Sequence, residues 1–236
     1  MKLHEIKGTV IDMNGFVRKL IHTVDVECRP YIDSFGGWNE WVNLNYEHSY
    51  RRNLFRGMTV PTHRPIGRKD VHKNREPKDT YHGVHVVVDD WFNREFGHRY
   101  RSNAMFATSN TAVAEEYGTG AYCVFPIGQY KMCFSESYED LWDRLSRELS
   151  AFAHSKVAGQ TKQIFNVDKI ENEEQKQIIE TTLKEGHYQE RPAPDAINSK
   201  HEVMVACDRY AYIEWKQYVK YMLPMVMDMV EAGELK

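Results

Sequence analysis

Apolar residues recur at helical spacing near the start of the chain. Intervals of three and four residues separate them, which places them on one face of a helix; the stripe consists of Phe16, Val17, Leu20, Ile21 and Val24. Pro30 is expected to end this helix, because the residue before a proline avoids helical backbone angles. A second, shorter helix is predicted around Trp38, Trp41, Val42 and Leu44. Both helices are interpreted as a packed cap rather than as a binding site.

After residue 53, short apolar runs alternate with amphipathic stretches. Strands are predicted at 54–58, 104–107, 121–127 and 202–207, with 210–215 pairing beside the last of them. Helices are predicted at 89–100, 111–117, 138–154 and 171–185, followed by a C-terminal helix that is kinked at Pro224. The proline-containing segments 59–80 and 186–200 are predicted to be loops. Early helices followed by strands with helices between them indicate an α+β fold.

The length and composition are those of one globular domain. The chain has 236 residues, of which 42% are hydrophobic and 28% are charged, and such a chain can bury a core without disulfides or metals. We therefore expect a single domain over 1–236, with a helical N-terminal extension at 1–50, a core at 51–216 and a C-terminal helix at 217–236. The net charge of −3 indicates no bulk attraction to nucleic acid or to an anionic membrane.

Other features predict a cytoplasmic protein without a membrane partner. The N-terminal residues are polar and lack the apolar segment of a secretory signal, and no apolar run approaches the ~20 residues that cross a bilayer. The four cysteines form no CxxC pair, so buried reduced thiols are expected. His72, His82 and His85 lie near one another in the sequence, but no Asp, Cys and His at metal-ligand spacing accompany them, and no metal site is predicted.

Arg56 is the first candidate for chemistry, because it lies inside the apolar run 54–58. A guanidinium cannot shed its charge on burial, so it needs an anionic partner such as a pyrophosphate oxygen or a carboxylate. Gly57 beside it would let a ligand approach the backbone closely. The alternative is an arginine on an edge strand that faces water.

Two further polar features lie at the ends of predicted strands. Phe106 precedes Thr108, Ser109 and Asn110, where a strand gives way to a helix. Side-chain oxygens at such a position either cap the helix or hold a ligand. Glu202 lies where a proline-containing loop enters a strand, so its carboxylate faces either solvent, the usual place for a single glutamate, or a cleft.

The order of these three features resembles the ADP-ribosyltransferase family of the cholera-toxin and clostridial-toxin type. That family has an arginine on its first strand, an aromatic-x-Ser-Thr-Ser strand and a glutamate that opens a later strand. Arg56, the segment 106–110 and Glu202 match these motifs in the same order, and the following small-residue helix ends at Tyr117, as it often does in the family. The resemblance covers about residues 50 to 215, and the chain is also similar in texture to bacteriophage-encoded members.

The resemblance implies a fold, a substrate and roles for individual residues. NAD⁺ would lie in a cleft between a split pair of small antiparallel sheets, and ADP-ribose would pass to a macromolecular acceptor, either protein or nucleic acid. The residues implied to contact NAD⁺ are Arg56, Gly57, Phe106, Thr108, Ser109 and Tyr117. Glu202, Arg56 and Ser109 would carry catalysis. Glu202 would accept the ribose 2′-hydroxyl and stabilise the oxocarbenium-like transition state as nicotinamide leaves.

The chain departs from the family pattern near the implied catalytic residues. Members that modify arginine carry a glutamate two residues before the catalytic one, whereas this chain has Lys200, so transfer to arginine is not expected. Lys200 either contacts an acidic or phosphorylated target or is a solvated loop lysine. The second motif reads Thr-Ser-Asn rather than Ser-Thr-Ser, and the segment between Ser109 and Glu202, which contains helices, is longer than in minimal members.

Segment 62–78 is rich in basic residues. These are His63, Arg64, Arg68, Lys69, His72, Lys73, Arg75 and Lys78. The segment could receive a polyanionic target or a phosphate of NAD⁺. The alternative is a solvated loop, because Asp70 and Glu76 are mixed with the basic residues.

Three other functions stay open from the sequence. The first is an NAD⁺ glycohydrolase on the same fold, with water as the acceptor. The second is a binding or virion protein that keeps the fold without catalysis. The third is an RNA 2′-phosphotransferase, which shares the fold but needs histidine and arginine pairs that segment 106–110 lacks.

Overall fold

The structure is a computed structural model that describes residues 12–47, 53–61, 64–76, 81–157 and 173–236. These residues form an α+β fold with two small antiparallel sheets, which confirms the predicted fold class at that level. The strands are β1 (Phe55–Met58), β2 (Ile66–Asp70), β3 (Met105–Ala107), β4 (Gly120–Ile127), β5 (Lys131–Ser135), β6 (Tyr188–Glu190), β7 (Val203–Ala206) and β8 (Arg209–Glu214). The helices are α1 (Met13–Glu27), α2 (Arg29–Asp33), α3 (Trp38–Glu47), α4 (His82–Phe96), α5 (Tyr100–Asn103), α6 (Thr111–Glu116), α7 (Leu141–Val157), α8 (Glu173–Glu185), α9 (Ala193–Ser199), α10 (Trp215–Gln217) and α11 (Leu223–Glu231).

Each sheet has four strands, and all neighbouring strands are antiparallel. The first sheet has the order β1-β4-β8-β2, and the second has the order β3-β7-β5-β6. The backbones of Phe55 and Thr108 join them: the Phe55 N–H donates to the Thr108 carbonyl at 2.7 Å, and the Thr108 N–H donates to the Phe55 carbonyl at 2.9 Å. Because Phe55 precedes Arg56, this bridge brings the first two candidate motifs to the same place.

The N-terminal helices cover the first sheet. Helix α1 contacts β2, β4 and β8, and α2 contacts β4. In the predicted stripe, Val17, Leu20, Ile21 and Val24 are buried, whereas Phe16 is 51% exposed. The helical stripe is therefore confirmed in all but one position, and its burial against the sheet follows from its amphipathic spacing. The parts of the predicted extension at 1–11 and 48–50 lie outside the described residues.

The second sheet separates two layers of the core, because successive side chains of a strand point to opposite faces. Val203 and Val205 of β7 pack in the core that is shared with the first sheet. Met204 and Ala206 pack instead against a group of helices that includes α4, α7 and α8. All four cysteines are buried and free, as predicted.

Several predicted boundaries in the first half of the chain are wrong. Helix α1 ends at Glu27, and Pro30 lies in the first turn of α2, where the missing N–H of proline has no helical partner to lose. Helix α4 starts at His82 rather than at residue 89. The predicted loop 59–80 contains β2, which pairs with β8. Strand β2 lies at the edge of its sheet, where charged and exposed side chains are common. Its sequence therefore lacks the buried apolar positions by which a strand is predicted.

The second half of the chain also differs from the prediction in its strand pairing. Strand β8 does not pair beside β7 but lies between β4 and β2 in the other sheet. Strand β5, which no pattern predicted, lies between β7 and β6. The predicted loop 186–200 contains β6 and α9. A period of two identifies a strand but not its neighbour, which explains the wrong partner for β8.

The C-terminal region is helical, as predicted, but its break comes before Pro224. Residues Tyr218–Met222 form a π-helical segment, and Pro224 lies in the first turn of α11. A proline at this position costs little, since the wider π turn already interrupts the regular hydrogen-bond ladder. In the parts of the chain that the structure describes, no helix is both long and apolar enough to cross a membrane.

Candidate functional site

Arg56 and Phe106 meet where the two sheets join. Arg56 lies on the edge strand β1, and its Nη1 donates to the carbonyl oxygen of Phe106 at 2.7 Å. Arg56 thus lies on an edge strand, as the alternative interpretation expected, but its side chain is half-buried at the junction of the sheets. Strand β3 pairs with β7 so that Ala107 is opposite Val203. The residue after Ala107 is Thr108 and the residue before Val203 is Glu202, so these two lie at the same end of the strand pair.

Glu202 forms an ion pair with Arg101, a residue that the sequence did not single out. Arg101 Nη1 lies 3.0 Å from Glu202 Oε1, and the two side chains are 12% and 24% exposed. The Glu202 N–H donates to the carbonyl of Glu139 at 2.9 Å. Burial raises the pKa of Glu202 above its ordinary value, and the positive charge of Arg101 opposes this shift. The Glu202 side chain is thus mostly withdrawn from solvent beside Arg101.

Two guanidinium groups lie over the ring of Phe106. The Arg75 guanidinium carbon is 4.2 Å from the ring centroid, and that of Arg101 is 4.5 Å from it, which are cation–π distances. Burial, together with the positive charges of Arg101 and Arg56, lowers the pKa of Arg75 to about 10. Three arginines therefore lie near Glu202, and the carboxylates of Asp89 and Asp140 are also close enough to affect the pKa values of this group.

The polar residues after Phe106 serve mostly in local structure. Thr108 is buried, and its Oγ1 accepts a hydrogen bond from the Asn110 N–H at 3.1 Å. Asn110 Oδ1 accepts from the Ala112 N–H at 3.0 Å and caps α6, so the capping interpretation holds for Asn110. Ser109 is half-buried. Among the residues that the structure describes, its hydroxyl has no hydrogen-bond partner, and Ser109 therefore makes no hydrogen bond to Glu202.

Gly57 faces α6 and not the space around Arg56. A Cβ at this position would overlap the carbonyl oxygen of Ala114 and would lie 2.9 Å from the carbonyl carbon of Tyr117. The missing side chain of Gly57 thus lets the end of α6 pack on β1, which accounts for the glycine without a ligand; its contact with NAD⁺ stays a prediction. Tyr117, directly after α6, is 66% exposed, so a contact with a bound ring would lie at the rim.

Lys200 ends α9 in a left-handed backbone conformation, with φ of 63°. Its side chain is exposed, as a solvated lysine at a helix terminus would be. The side chain of His201, the next residue, turns towards β5: its Nδ1 lies 2.7 Å from the carbonyl of Ser135. Lys200 and Glu202 are therefore close in sequence but differ in exposure.

The basic segment divides between surface ion pairs and the site. Arg68 pairs with Glu27 at 2.7 Å, and Lys73 pairs with Asp208 at 3.1 Å. Arg75 reaches the ring of Phe106, and its Nη2 donates to the carbonyl of Arg101 at 3.0 Å. His63 and Lys78 lie outside the described residues. Within the described ranges, no three His, Cys, Asp or Glu side chains converge into a candidate metal site.

The sequence gives little indication that Arg101 belongs to the site. It lies five residues before Phe106, in a polar segment that separates a predicted helix from a predicted strand. Nothing in its spacing links it to Glu202, which is 101 positions away. Arg75 had a stronger signal because it belongs to the basic segment, although its neighbours there have different roles.

Comparison with known proteins finds no match for this chain. No family model matches it, and neither does any curated protein or any solved structure. Any function must therefore be argued from the residues of the site and their geometry.

Proposed function

We propose that this chain transfers ADP-ribose from NAD⁺ to a macromolecular acceptor and releases nicotinamide. The observation that carries the proposal is the convergence of Arg56, Phe106 and Glu202 where two small antiparallel sheets join. Arg56 contacts the Phe106 backbone at 2.7 Å, and Arg101 links the Phe106 ring to Glu202. These are the positions that match the three motifs of the ADP-ribosyltransferase type, and the fold supplies the two sheets between which NAD⁺ would bind.

The guanidinium groups of Arg56 and Arg75 suit the pyrophosphate of a dinucleotide. Neither Arg56 nor Arg75 forms a salt bridge with any residue that the structure describes, and both are half-buried. An arginine fork can bind phosphate oxygens with two parallel hydrogen bonds. A bound pyrophosphate would neutralise the mutual repulsion that contributes to the lowered pKa of Arg75. We assign pyrophosphate binding to Arg56 and Arg75.

Glu202 would act on the ribose that is attached to nicotinamide. Its carboxylate would accept the 2′-hydroxyl proton in a hydrogen bond and place negative charge beside C1′. As the bond from C1′ to the nicotinamide nitrogen breaks, positive charge develops on the ribose, and a fixed carboxylate stabilises this transition state more than the ground state. Nicotinamide leaves as a neutral molecule, so no second acidic residue is needed. The hydroxyl of Ser109 would contact the same ribose.

The acceptor would approach beside Lys200. Lys200 is exposed, and it stands where arginine-modifying members have a glutamate, so we propose an acceptor group other than a guanidinium. We also propose that the chain acts in the cytoplasm, because its four buried free cysteines suit a reducing compartment.

The test compares Glu202→Gln with a matched control, Glu180→Gln. Glu180 also pairs with an arginine, Arg94, at 2.6 Å, and its side chain is 26% exposed. We expect Glu202→Gln to reduce nicotinamide release from NAD⁺ on the order of 10²-fold or more, because one preorganised charge is lost from the transition state. Glu180→Gln should keep the wild-type rate. The dissociation constant for NAD⁺ should stay within about threefold in both variants, because the interaction that is removed belongs to the transition state.

The same assay separates the alternative functions. Rapid nicotinamide release without any acceptor would favour a glycohydrolase, with water attacking C1′. Equal, negligible turnover by the wild type and by Glu202→Gln, with and without a cell lysate as acceptor source, would favour a binding protein. Near-normal turnover by Glu202→Gln would overturn the chemistry proposed for Glu202.

A further inference from the structure

A buried aspartate of α4 holds the backbone of α5. Asp89 is 2% exposed, and its Oδ1 accepts hydrogen bonds from the N–H groups of Arg101 at 2.9 Å and Ser102 at 3.3 Å. The Ser102 hydroxyl donates to Asp89 Oδ2. His85 Nε2 lies 3.0 Å from the same hydroxyl. Asp89, Ser102 and His85 thus form a hydrogen-bond network that fixes the backbone of Arg101.

The Arg101 side chain is held at its other end as well. Its guanidinium lies over the Phe106 ring and 3.0 Å from Glu202, and only 12% of the side chain is exposed. The fixed backbone and the Phe106 ring restrict the Arg101 side chain, so it loses little further freedom when it pairs with Glu202. The ion pair therefore has a defined geometry. Ser109, which the resemblance places among the catalytic residues, makes no hydrogen bond to Glu202.

We propose that Arg101 is the positioning residue of Glu202 and that Asp89 acts through Arg101. This inference rests on the proposed function of Glu202. Arg101 holds the carboxylate in one orientation and favours its ionised form, which burial disfavours. Both effects serve a carboxylate that has to meet C1′ as positive charge develops there.

The charges around Glu202 affect its pKa and therefore the pH dependence of turnover. The titratable groups that interact with it are Arg101 of α5, Arg75 after β2, Asp140 before α7 and Tyr188 of β6. Arg101 and Arg75 lower the pKa of Glu202, whereas Asp140 and burial raise it. Turnover that needs the carboxylate is present above this pKa and is lost as the pH falls through it. Removal of Arg101 therefore moves the acid limb of the profile to higher pH.

The experiment compares Arg101→Gln and Arg101→Lys with Arg99→Gln. Arg99 is two residues away and pairs with Asp90 at 2.9 Å on the surface. We expect Arg101→Gln to lower kcat for nicotinamide release about 10- to 100-fold, because a misplaced catalytic group loses its near-attack geometry. KM should change less than about threefold, since binding of the ground state is not the interaction removed. Arg101→Lys should keep the wild-type acid limb but lose about tenfold in kcat, and Arg99→Gln should match the wild type.

A second measurement keeps the inference testable if turnover is absent. Carbon-13 labelling of glutamate carboxyl groups, with Glu202→Gln used to assign the signal, reports the titration of Glu202 directly. We expect this titration to move to higher pH in Arg101→Gln and, by a smaller amount, in Asp89→Asn. Circular dichroism of each variant shows whether it is folded.

The outcomes separate the two proposals. If the wild type releases nicotinamide but Arg101→Gln keeps its kcat and its acid limb, the positioning role of Arg101 is refuted and the proposed function stands. If the wild type has no turnover, the proposed function fails, and with it the catalytic purpose of the ion pair. If Arg101→Gln does not fold, an unchanged kcat in both Arg101→Lys and Asp89→Asn would overturn the inference.

Discussion

Gly57 has a packing role beside the candidate site. It is next to Arg56 on β1, but its missing Cβ faces the end of α6. Gly118, which follows α6 and Tyr117, lies at the same contact, because a Cβ there would crowd the backbone of Met58 and Gly57. Together the two glycines let α6 approach β1 closely enough to support the backbone that carries Arg56.

Gly57→Ala should destabilise the protein. The added methyl group would overlap the Ala114 carbonyl, which is backbone and cannot move aside alone, so we expect a loss of about 1–3 kcal/mol in the free energy of unfolding. Gly120→Ala is the control: Gly120 pairs with Met58 on the neighbouring strand, and its nearest atom to a new Cβ is 3.7 Å away. Urea denaturation of both variants measures the difference, and equal stabilities would contradict this account.

At the scale of elements, the polar residues at the end of β3 have different roles. Thr108 joins the sheets through its backbone, Asn110 caps α6, and Ser109 lies between them. The sequence allowed either capping or ligand binding for this group, and capping is realised at Asn110. Helix α6 is short, so a large share of its backbone N–H groups depends on such a cap.

Asn110→Ala should therefore affect stability more than catalysis. Loss of the bond to the Ala112 N–H is expected to cost about 1 kcal/mol, whereas Asn110→Asp should keep most of the stability because it keeps the acceptor. Thermal denaturation, together with the KM for the proposed substrate NAD⁺, tests this. A large rise in KM with unchanged stability would show instead that the side chain of Asn110 contacts the substrate.

Elements were predicted best where an amphipathic pattern was long. Apolar stripes predict helices α1 and α7, an apolar run predicts β4 and alternation predicts β7, because burial leaves a pattern in the sequence. Strand β2 was missed since its side chains are largely exposed, and β6 and α9 are too short to show a period. Strand β5 has a buried core of three apolar residues, which is not enough to separate a strand from a turn.

At the scale of the molecule, the N-terminal helices and the first sheet share one core. Trp41 of α3 is fully buried, with its ring 6.4 Å from that of Phe125 on β4 and 6.2 Å from that of Tyr218 in the π-helical segment. The same core continues to the strands that carry the site. The helices therefore stabilise the sheet on which Arg56 lies, although they contribute none of the three motif residues.

Trp41→Ala should lower the stability of the whole molecule. We expect a loss of roughly 3–5 kcal/mol in the free energy of unfolding, because a large buried side chain is removed and a cavity is left. Trp142→Ala on α7 is the control, since Trp142 is only half-buried, and its loss should cost clearly less. Urea unfolding followed by circular dichroism should show one transition; two transitions would show that the N-terminal helices unfold independently.

The sequence by itself determined the α+β class, the positions of the longer helices and the order of three motif residues along the chain. Those features follow from local periodicity and from residue chemistry, which a linear pattern contains. Only the tertiary structure decided that β8 lies apart from β7, that Gly57 packs against α6 and that Arg101 pairs with Glu202. Such contacts join residues many positions apart, and an apolar or charged residue shows that it needs a partner without showing which partner it will meet.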